Sequence, residues 1–413
     1  MTVVRLVRKP AGWLARAHAT ARRSPWPMTT SATLVITVTG LLLGGGLLMI
    51  LSTSWVTAFQ RYGSSFVIFA HQLEWAVAGV VAMLVVSRID YRHFRRLGYG
   101  LYIASVAGLA VVVLHPSMGM SAGGSTRWLA VGPARFQPSE LAKLALVLVA
   151  ADLCVRKGSR LRTVKDAMVP LGVMAGLVGG LVMLQPDLGT TVILGSIVFV
   201  VLFLAGTPLG TLGMMGSVGM GVAAALSLSE GYRRERLFGF LNPFADRLDT
   251  GYQAVQARIA LGSGGLFGVG LGASRQKWMY VPNAHTDFIL AIIGEEVGLI
   301  GTLAVVGLFV LLGYAGVRTA RRAPDTFGRI VAGGITAWIL GQGIVNMGAV
   351  TGLLPITGVP LPLVSFGGSS LMFTMVALGI LVNIARQEQW PPKVIEEAAG
   401  RVSRRQGGAR ASR

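Results

Sequence analysis

The segment VPNAHTDFILAIIGEEVG, residues 281–298, places three carboxylates at the edge of an apolar stretch. Asp287 stands where a long loop enters that stretch, and Glu295 and Glu296 lie about two turns further in. A charged side chain at the centre of a bilayer costs at least ~2.5–3.5 kcal/mol, so intramembrane acids usually face a polar cavity and mark an ion, proton or substrate site. We expect at least one of the two Glu residues to face such a cavity, where it would hold a basic loop residue or an ion.

The loop that precedes Asp287, residues 229–286, carries an excess of positive charge. The forked donors of Arg guanidinium groups and the compact charges of Lys ammonium groups suit an anionic partner such as a phosphate or pyrophosphate. A solvated loop is the alternative, since long loops cross a membrane regardless of their charge. The loop contains seven basic residues, Arg233, Arg234, Arg236, Arg247, Arg258, Arg275 and Lys277, and four acidic residues, Glu230, Glu235, Asp246 and Asp249.

The same loop contains the glycine-dense run GSGGLFGVGLG at 262–272. Its continuation to Ala273 fits the loose pattern GxGxxA, but the strand–turn–helix context of a dinucleotide site is missing. We interpret the run as re-entrant or loop backbone, where glycine permits positive φ and the close approach of a ligand. His285 is interpreted as a hydrogen-bonded structural residue, with a metal ligand as the alternative. The sequence lacks Walker A, HExxH and CxxC motifs.

Composition places these residues in a membrane protein. Of 413 residues 53% are hydrophobic and 13% are charged, against about 25% charged in an average soluble domain, and the mean hydropathy is +0.64. A membrane-spanning helix needs about 20 apolar residues. We therefore predict an all-α, polytopic membrane protein with about ten transmembrane helices and a large extracytoplasmic loop at 229–286. The ten candidate spans are roughly 29–52, 71–87, 98–115, 139–155, 168–184, 188–206, 208–228, 287–318, 328–351 and 365–386.

Basic clusters near residues 88–96, 156–165 and 318–329 give the orientation, because Arg and Lys of short loops stay in the cytoplasm. Ten spans then put both termini inside. A basic arm, 1–28, and a basic tail, 389–413, are predicted to be disordered on either side of a membrane domain at 29–388. The net charge of +20 is attributed to this topology and to anionic membrane lipids, and no nucleic-acid partner is expected.

Other polar residues lie near the predicted outer ends of spans. Glu140 and Lys143, at i and i+3, can pair on one helical face, either as a structural pair or as part of a site. Gln185 and Asp187 belong to a short outer turn, where Asp187 can cap the next helix. Trp128 can stack on a sugar ring or anchor its loop at the interface.

Five ordered motifs carry a resemblance to a known family. They are GSTRWLAVGPARFQPSELAKL (124–144), QPDLGT (185–190), YRRERLFGFLNPFADRLDTGYQAVQARIALGSGGLFGVGLG (232–272), VPNAHTDFILAIIGEEVG (281–298) and NMGAVTGLLPITGVPLPLVSFGGSS (346–370). The chain resembles the SEDS (shape, elongation, division and sporulation) family of bacterial peptidoglycan glycosyltransferases from about residue 30 to 388. FLNPFAD and NAHTDF look more like the cell-division members than the elongation members.

The resemblance implies polymerisation of lipid II, an undecaprenyl-pyrophosphoryl disaccharide-pentapeptide, at the outer face of the cytoplasmic membrane during septal wall synthesis. Asp287 matches the catalytic aspartate of the family and is the expected base, with an N-cap of the next helix as the alternative. Arg275 and Lys277 are the expected diphosphate contacts. The remaining expected substrate-binding residues are Trp128, Glu140, Lys143, Gln185, Asp187, Glu295, Glu296 and Ser365.

Implied partners are a class B penicillin-binding protein, which is a transpeptidase, and other division proteins. No cofactor is certain, and a divalent cation such as Mg²⁺ or Mn²⁺ stays open. Three other functions remain: a lipid II flippase that uses the same cavity, an elongation-type polymerase, and a non-catalytic division scaffold. A flippase requires a midplane site reachable from both sides, whereas a polymerase requires chemistry outside.

Overall fold

The computed structural model describes residues 28–115, 119–122, 125–131, 134–158, 164–229, 231, 234, 239–240, 242–244, 251–278, 280–281 and 284–388. The predicted disordered tail, and all of the predicted arm except Met28, lie outside these residues. So do several charges of the 229–286 loop, including Arg233, Arg236 and Arg247.

The described chain is a helical bundle, which confirms the all-α prediction. Seven of its helices are long and apolar enough to cross a membrane, two more are shorter and apolar, and α4 is interrupted by charges. Each of the ten predicted spans coincides with a helix, and the short α8 is an addition. The helices are α1 Thr30–Tyr62, α2 Val67–Val86, α3 Phe94–Leu114, α4 Pro138–Lys157, α5 Val164–Met183, α6 Leu188–Leu204, α7 Leu209–Ser229, α8 Tyr252–Ser263, α9 Ile289–Arg322, α10 Thr326–Thr351 and α11 Gly368–Arg386.

A small antiparallel sheet occupies the loop between α3 and α4. Its strands are β1 Gly119–Ala122, β2 Ser125–Val131 and β3 Ala134–Phe136, in the order β1–β2–β3. The short STRWLAV segment of β2 is rich in the β-branched and aromatic residues that favour strands. Phe136 packs edge-on against Phe373 of α11, with ring centroids 5.5 Å apart, and ties the sheet to the bundle.

The core surrounds α4 and α11, whose side chains are buried along most of their length. The burial of charged residues in α4 requires partners, because an unpaired charge in the interior is very costly. Asp152, fully buried near one end of α4, bonds to Arg95, to Arg156 at 2.7 Å and to Tyr99 at 2.8 Å. This cluster lies at the end of the bundle opposite Asp287.

The long span predicted at 287–318 is not one continuous helix. Helix α9 breaks at Gly298, whose φ of 77° and ψ of −166° are not helical. Few residues other than glycine adopt this backbone conformation without strain. The break leaves backbone groups without intrahelical partners, and in a membrane those groups need other partners.

The glycine-dense run supplies those partners. The close approach expected there is to the backbone of α9: a Cβ atom at Gly268 would lie 2.2 Å from the carbonyl oxygen of Glu296. This contact explains why the run needs glycine, and residues 264–277 form a re-entrant segment that folds back on α9 rather than a free loop. The backbone bonds are Val269 N to Glu295 O at 2.9 Å, Gly270 N to Glu296 O at 3.0 Å and Leu299 N to Gly265 O at 2.9 Å.

Candidate active site

Asp287 is half-buried just before α9. The N-cap residue of α9 is Phe288, which makes no side-chain cap, so the helix boundary lies one residue beyond Asp287. Thr286 Oγ1 donates to Asp287 Oδ1 at 2.8 Å. Asn346 Nδ2 donates to two carbonyl oxygens, that of Asp287 at 2.7 Å and that of Val359 at 2.8 Å. The backbone of Asp287 is thereby fastened to α10 and to the loop that follows it.

The loop between α10 and α11, residues 352–367, forms a second wall beside Asp287. A Cβ atom at Gly358 would lie 3.9 Å from Asp287 Oδ2. Phe366 N donates to the carbonyl oxygen of His285 at 2.9 Å. Ser365 Oγ accepts from Leu361 N at 2.8 Å, so this hydroxyl holds the turn of the loop. Its contact with substrate stays a prediction.

His285 lies two residues before Asp287 and is kept neutral by its surroundings. Burial, followed by the nearby positive charge of Arg61, lowers the pKa of His285 to about 4. Its ring also meets that of Phe366 edge-on, with centroids 5.6 Å apart. Among the residues described here, no three His, Cys, Asp or Glu side chains cluster as metal ligands would.

Glu295 and Glu296 bind the re-entrant segment to α9. Glu295 accepts from Ser274 Oγ at 2.5 Å and from Arg275 N at 3.0 Å. Glu296 accepts from Lys277 Nζ at 3.2 Å and from Ser52 Oγ of α1 at 2.6 Å. The Lys277 side chain is fully buried, whereas Arg275 is exposed. In this structure only Arg275 of the two expected diphosphate contacts faces outward, and the role of both stays a prediction.

Glu140 and Lys143 form a buried pair that reaches toward the same wall. Lys143 Nζ donates to Glu140 Oε1 and to Gln342 Oε1, each at 2.9 Å. Gln342 Nε2 in turn donates to the carbonyl oxygen of Pro360 at 3.0 Å. The second carboxylate oxygen of Glu140 has no hydrogen-bond partner within the described part of the chain. The pair therefore supports the 352–367 loop from α4 through α10.

Asp187 caps α6 and pairs with the sheet. Its carboxylate accepts from Thr190 N at 3.0 Å and Thr190 Oγ1 at 2.9 Å, and lies 3.4 Å from Arg127 Nη1 of β2. Arg127 also donates to the carbonyl oxygen of Gln185 at 3.3 Å. Trp128 follows Arg127 in β2, so alternation along a strand directs its half-buried ring to the opposite face. The two expected roles of the ring, stacking on a sugar and anchoring the loop, stay predictions.

The sequence analysis missed three residues that connect these groups: Asn346, Gln342 and Arg127. Gln342 and Asn346 stand one helical turn apart on α10 and face the same loop. A signal was present, because two carboxamides at i and i+4 in an apolar span need buried partners. Arg127 gave no such signal, since its partners become visible only when the sheet folds beside the 185–187 turn.

The comparisons with known proteins agree with this geometry. Residues 32–390 match the model of a family described as "Cell cycle protein", which joins FtsW, RodA and SpoVE. This chain belongs to that family. The FtsW/RodA/SpoVE family includes the probable peptidoglycan glycosyltransferase FtsW of Mycobacterium tuberculosis, 43% identical over 91% of this chain and 71% of that protein. The stage V sporulation protein E of Bacillus subtilis is 40% identical over 88% of this chain and 100% of that protein.

Two solved structures share the fold. A chain from a peptidoglycan synthase complex gives a TM-score of 0.71 at 28% identity, covering 86% of this chain and 97% of that one. The rod shape determining protein RodA of Thermus thermophilus gives a TM-score of 0.63 at 27% identity, and the match covers 86% of this chain and 97% of that one. The FtsW/RodA/SpoVE match therefore spans the whole described bundle, including the Asp287 site.

Proposed function

We propose that this chain is a peptidoglycan glycosyltransferase that polymerises lipid II into glycan strands, with Asp287 as the general base. The observation that carries the proposal is the placement of Asp287, a half-buried carboxylate at the rim of the bundle whose backbone is held by Asn346. Membership in a family whose relatives are named peptidoglycan glycosyltransferase FtsW supports the reaction.

The reaction requires a base for the attacking hydroxyl and positive charge beside the pyrophosphate leaving group. The 4-hydroxyl of one sugar attacks the anomeric carbon of another, the bond to the lipid pyrophosphate breaks, and the carboxylate of Asp287 takes the hydroxyl proton. Positive charge near the pyrophosphate stabilises the leaving group. Arg275 is exposed for this role, whereas Lys277 must first leave Glu296.

The charge distribution supports the orientation. Basic residues at or near helix ends cluster at the end opposite Asp287, including Arg88, Arg92, Arg96, Arg318, Arg321 and Arg322. By the positive-inside rule, this cluster supports an outside position for Asp287, cytoplasmic termini and a location in the cytoplasmic membrane. Relatives named FtsW favour the division septum over elongation.

Two further elements of the proposal concern partners and ions. A solved relative belongs to a synthase complex that coordinates polymerization and crosslinking, which supports a class B penicillin-binding protein as the partner. If a divalent cation takes part, we expect the substrate phosphates to supply most of its ligands, since Mg²⁺ is usually held by one or two carboxylates together with phosphates.

The flippase alternative receives less support from these contacts. Glu295 and Glu296, the carboxylates that suit a transport site, are bonded to the re-entrant segment rather than directed into a path open at both ends.

The decisive experiment is polymer formation from labelled lipid II by the purified protein with its penicillin-binding partner, resolved on a gel. Asp287→Asn should abolish polymer, whereas Asp90→Asn, an exposed carboxylate at the opposite end, should retain it. Equal polymer from Asp287→Asn and wild type would remove Asp287 as the base. No polymer from folded wild type with its partner would favour a flippase or scaffold.

A further inference from the structure

An apolar groove of about 740 Å³ runs along the lipid-facing seam between α1 and α9. This volume lies within the ~300–1,000 Å³ that is typical of small-molecule sites. On α1 its lining extends from Leu41 to Trp55, which at 1.5 Å per residue is about 21 Å. On α9 it extends from Ile293 past the break to Leu308. Small residues make room for the groove: Gly45 and Gly46 on one side, Gly301 and Ala304 on the other.

The groove borders the same 352–367 loop that stands beside Asp287. Val364 lines the groove, and the adjoining loop residue Phe366 bonds to His285. Gly46 packs directly on this loop, because a Cβ atom there would lie 2.7 Å from Val364 Cα. A ligand that fills the groove therefore lies against the wall that faces Asp287.

One end of the groove lies near polar and charged side chains. Ser52 lines the groove and bonds to Glu296, which holds Lys277. Arg61 lies in the chain between the lining residues Trp55 and Ser65, and it is exposed. A ligand with an anionic head and a long apolar chain matches this combination of charged end and apolar groove.

The dimensions fit an extended hydrocarbon chain, because the groove runs about 21 Å along α1 and most of its lining side chains are apolar. The transmembrane helix of a partner protein is the competing occupant.

We infer that the groove between α1 and α9 holds the polyprenyl chain of a lipid-linked pyrophosphate while its head group lies beside Asp287. This inference rests on the proposed function, since it assigns a place to the apolar part of the proposed substrate. It also assigns a function to the glycines of α1.

Two adjacent glycines provide a matched pair of variants. Gly45 lines the groove and Gly44 does not, yet both are exposed on α1, and no atom lies within 4 Å of a Cβ atom built at either position. Gly45→Leu should fill the groove, whereas Gly44→Leu adds the same side chain to the lipid-facing surface. Equal thermal unfolding of the two variants would show that both fold.

The test uses a long-chain polyprenyl phosphate with a photoreactive diazirine at the end of its chain. The full-length protein is labelled in phosphatidylglycerol bilayer discs, and the cross-linked peptides are identified by mass spectrometry. We expect cross-links on the groove faces of α1 and α9. Gly45→Leu should weaken labelling roughly tenfold, about 1.4 kcal/mol, while Gly44→Leu should match wild type.

The inference would be overturned by cross-links outside the groove, or by an equal loss of labelling in Gly45→Leu and Gly44→Leu. It would also be overturned if excess phosphatidylglycerol competed with the probe as well as unlabelled polyprenyl phosphate does, or if the partner protein protected the groove completely from labelling. Labelling needs no sugar transfer, so it is measured independently of polymer formation. Groove labelling by a protein that forms no polymer would contradict the proposed function alone. Polymerisation with cross-links elsewhere would contradict this inference alone.

Discussion

The Lys277 ammonium lies 3.2 Å from the Glu296 carboxylate, and both side chains are fully buried. Lys277 comes from the re-entrant segment, Glu296 from α9, and Ser52 of α1 bonds to the same carboxylate. The pair therefore connects three parts of the chain next to the break at Gly298. Removing one partner of a buried pair leaves an uncompensated charge and typically costs ~3–5 kcal/mol.

This pair permits a test of whether Lys277 has a second role at the diphosphate. Lys277→Met should lower the melting temperature, and the double variant Lys277→Met/Glu296→Gln should recover most of the loss, because no charge is then left unpaired. Thermal unfolding in detergent measures both effects. If the double variant is stable but polymerises poorly, the Lys277–Glu296 pair acts on the substrate. Normal polymerisation by the stable double variant would assign Lys277 to structure only.

Asn346 is expected to position Asp287 for catalysis. Asn346→Ala removes the donor that fastens the Asp287 carbonyl to α10, and small misplacements of a catalytic group cost up to ~100-fold in rate. We expect kcat to fall roughly tenfold or more with little change in KM.

The control is Asn383→Ala, at the opposite end of the bundle. Asn383 is also buried and also bonds to two backbone groups: its Oδ1 accepts from Tyr91 N, and its Nδ2 donates to the carbonyl oxygen of Ser87. Both variants should lose about 1–3 kcal/mol of stability through unsatisfied groups. Only Asn346→Ala should lower kcat per folded molecule, and an equal loss of kcat in the two variants would contradict a positioning role.

The sequence was sufficient for the bundle because most spans carry a long apolar run, and length alone identifies such a run. It was also sufficient to place Asp287 at the boundary of one such run. It was not sufficient for Lys143 and Gln342, which are bonded although 199 residues apart. Pairings of this kind depend on helix packing, which apolar periodicity does not specify. The contact between Gly298 and the glycine-dense run could not be predicted for the same reason. A glycine in a membrane span more often marks a packing position than a break in the helix.

Gly298 should be the most sensitive glycine of α9. Gly298→Ala forces a non-glycine residue to φ 77° and brings Cβ within 2.4 Å of Gly268 N. We expect a loss of stability well above the ~1–2 kcal/mol of left-handed strain alone, because the re-entrant segment must shift. Thermal unfolding and polymerisation should both report it.

Gly307→Ala is the matched control on the same helix. No atom lies within 4 Å of a Cβ atom built at Gly307, and alanine favours helix over glycine by roughly 0.5–1 kcal/mol. This variant should be neutral or slightly more stable. Equal tolerance of alanine at both positions would contradict the break as a structural requirement.

His285 predicts a pH dependence of stability. The pKa of its ring is lowered to about 4 from an ordinary 6.5, chiefly by burial and then by Arg61. Above pH 6.5 the ring is neutral in both the folded and the unfolded chain, so its protonation does not lower the free energy of unfolding there. As the pH falls toward 4, the unfolded chain binds a proton that the folded chain does not, and the free energy of unfolding decreases.

Replacing the ring by a group that does not titrate should remove this part of the acid sensitivity. His285→Gln is expected to show a smaller fall in melting temperature than wild type between pH 6.5 and 4. His71→Gln, at an exposed histidine of α2, should keep the wild-type profile. Melting curves of the detergent-solubilised protein across this range provide the measurement. Identical acid profiles for wild type and His285→Gln would mean that the ring is protonated in the folded protein, and that burial beside Phe366 does not keep it neutral.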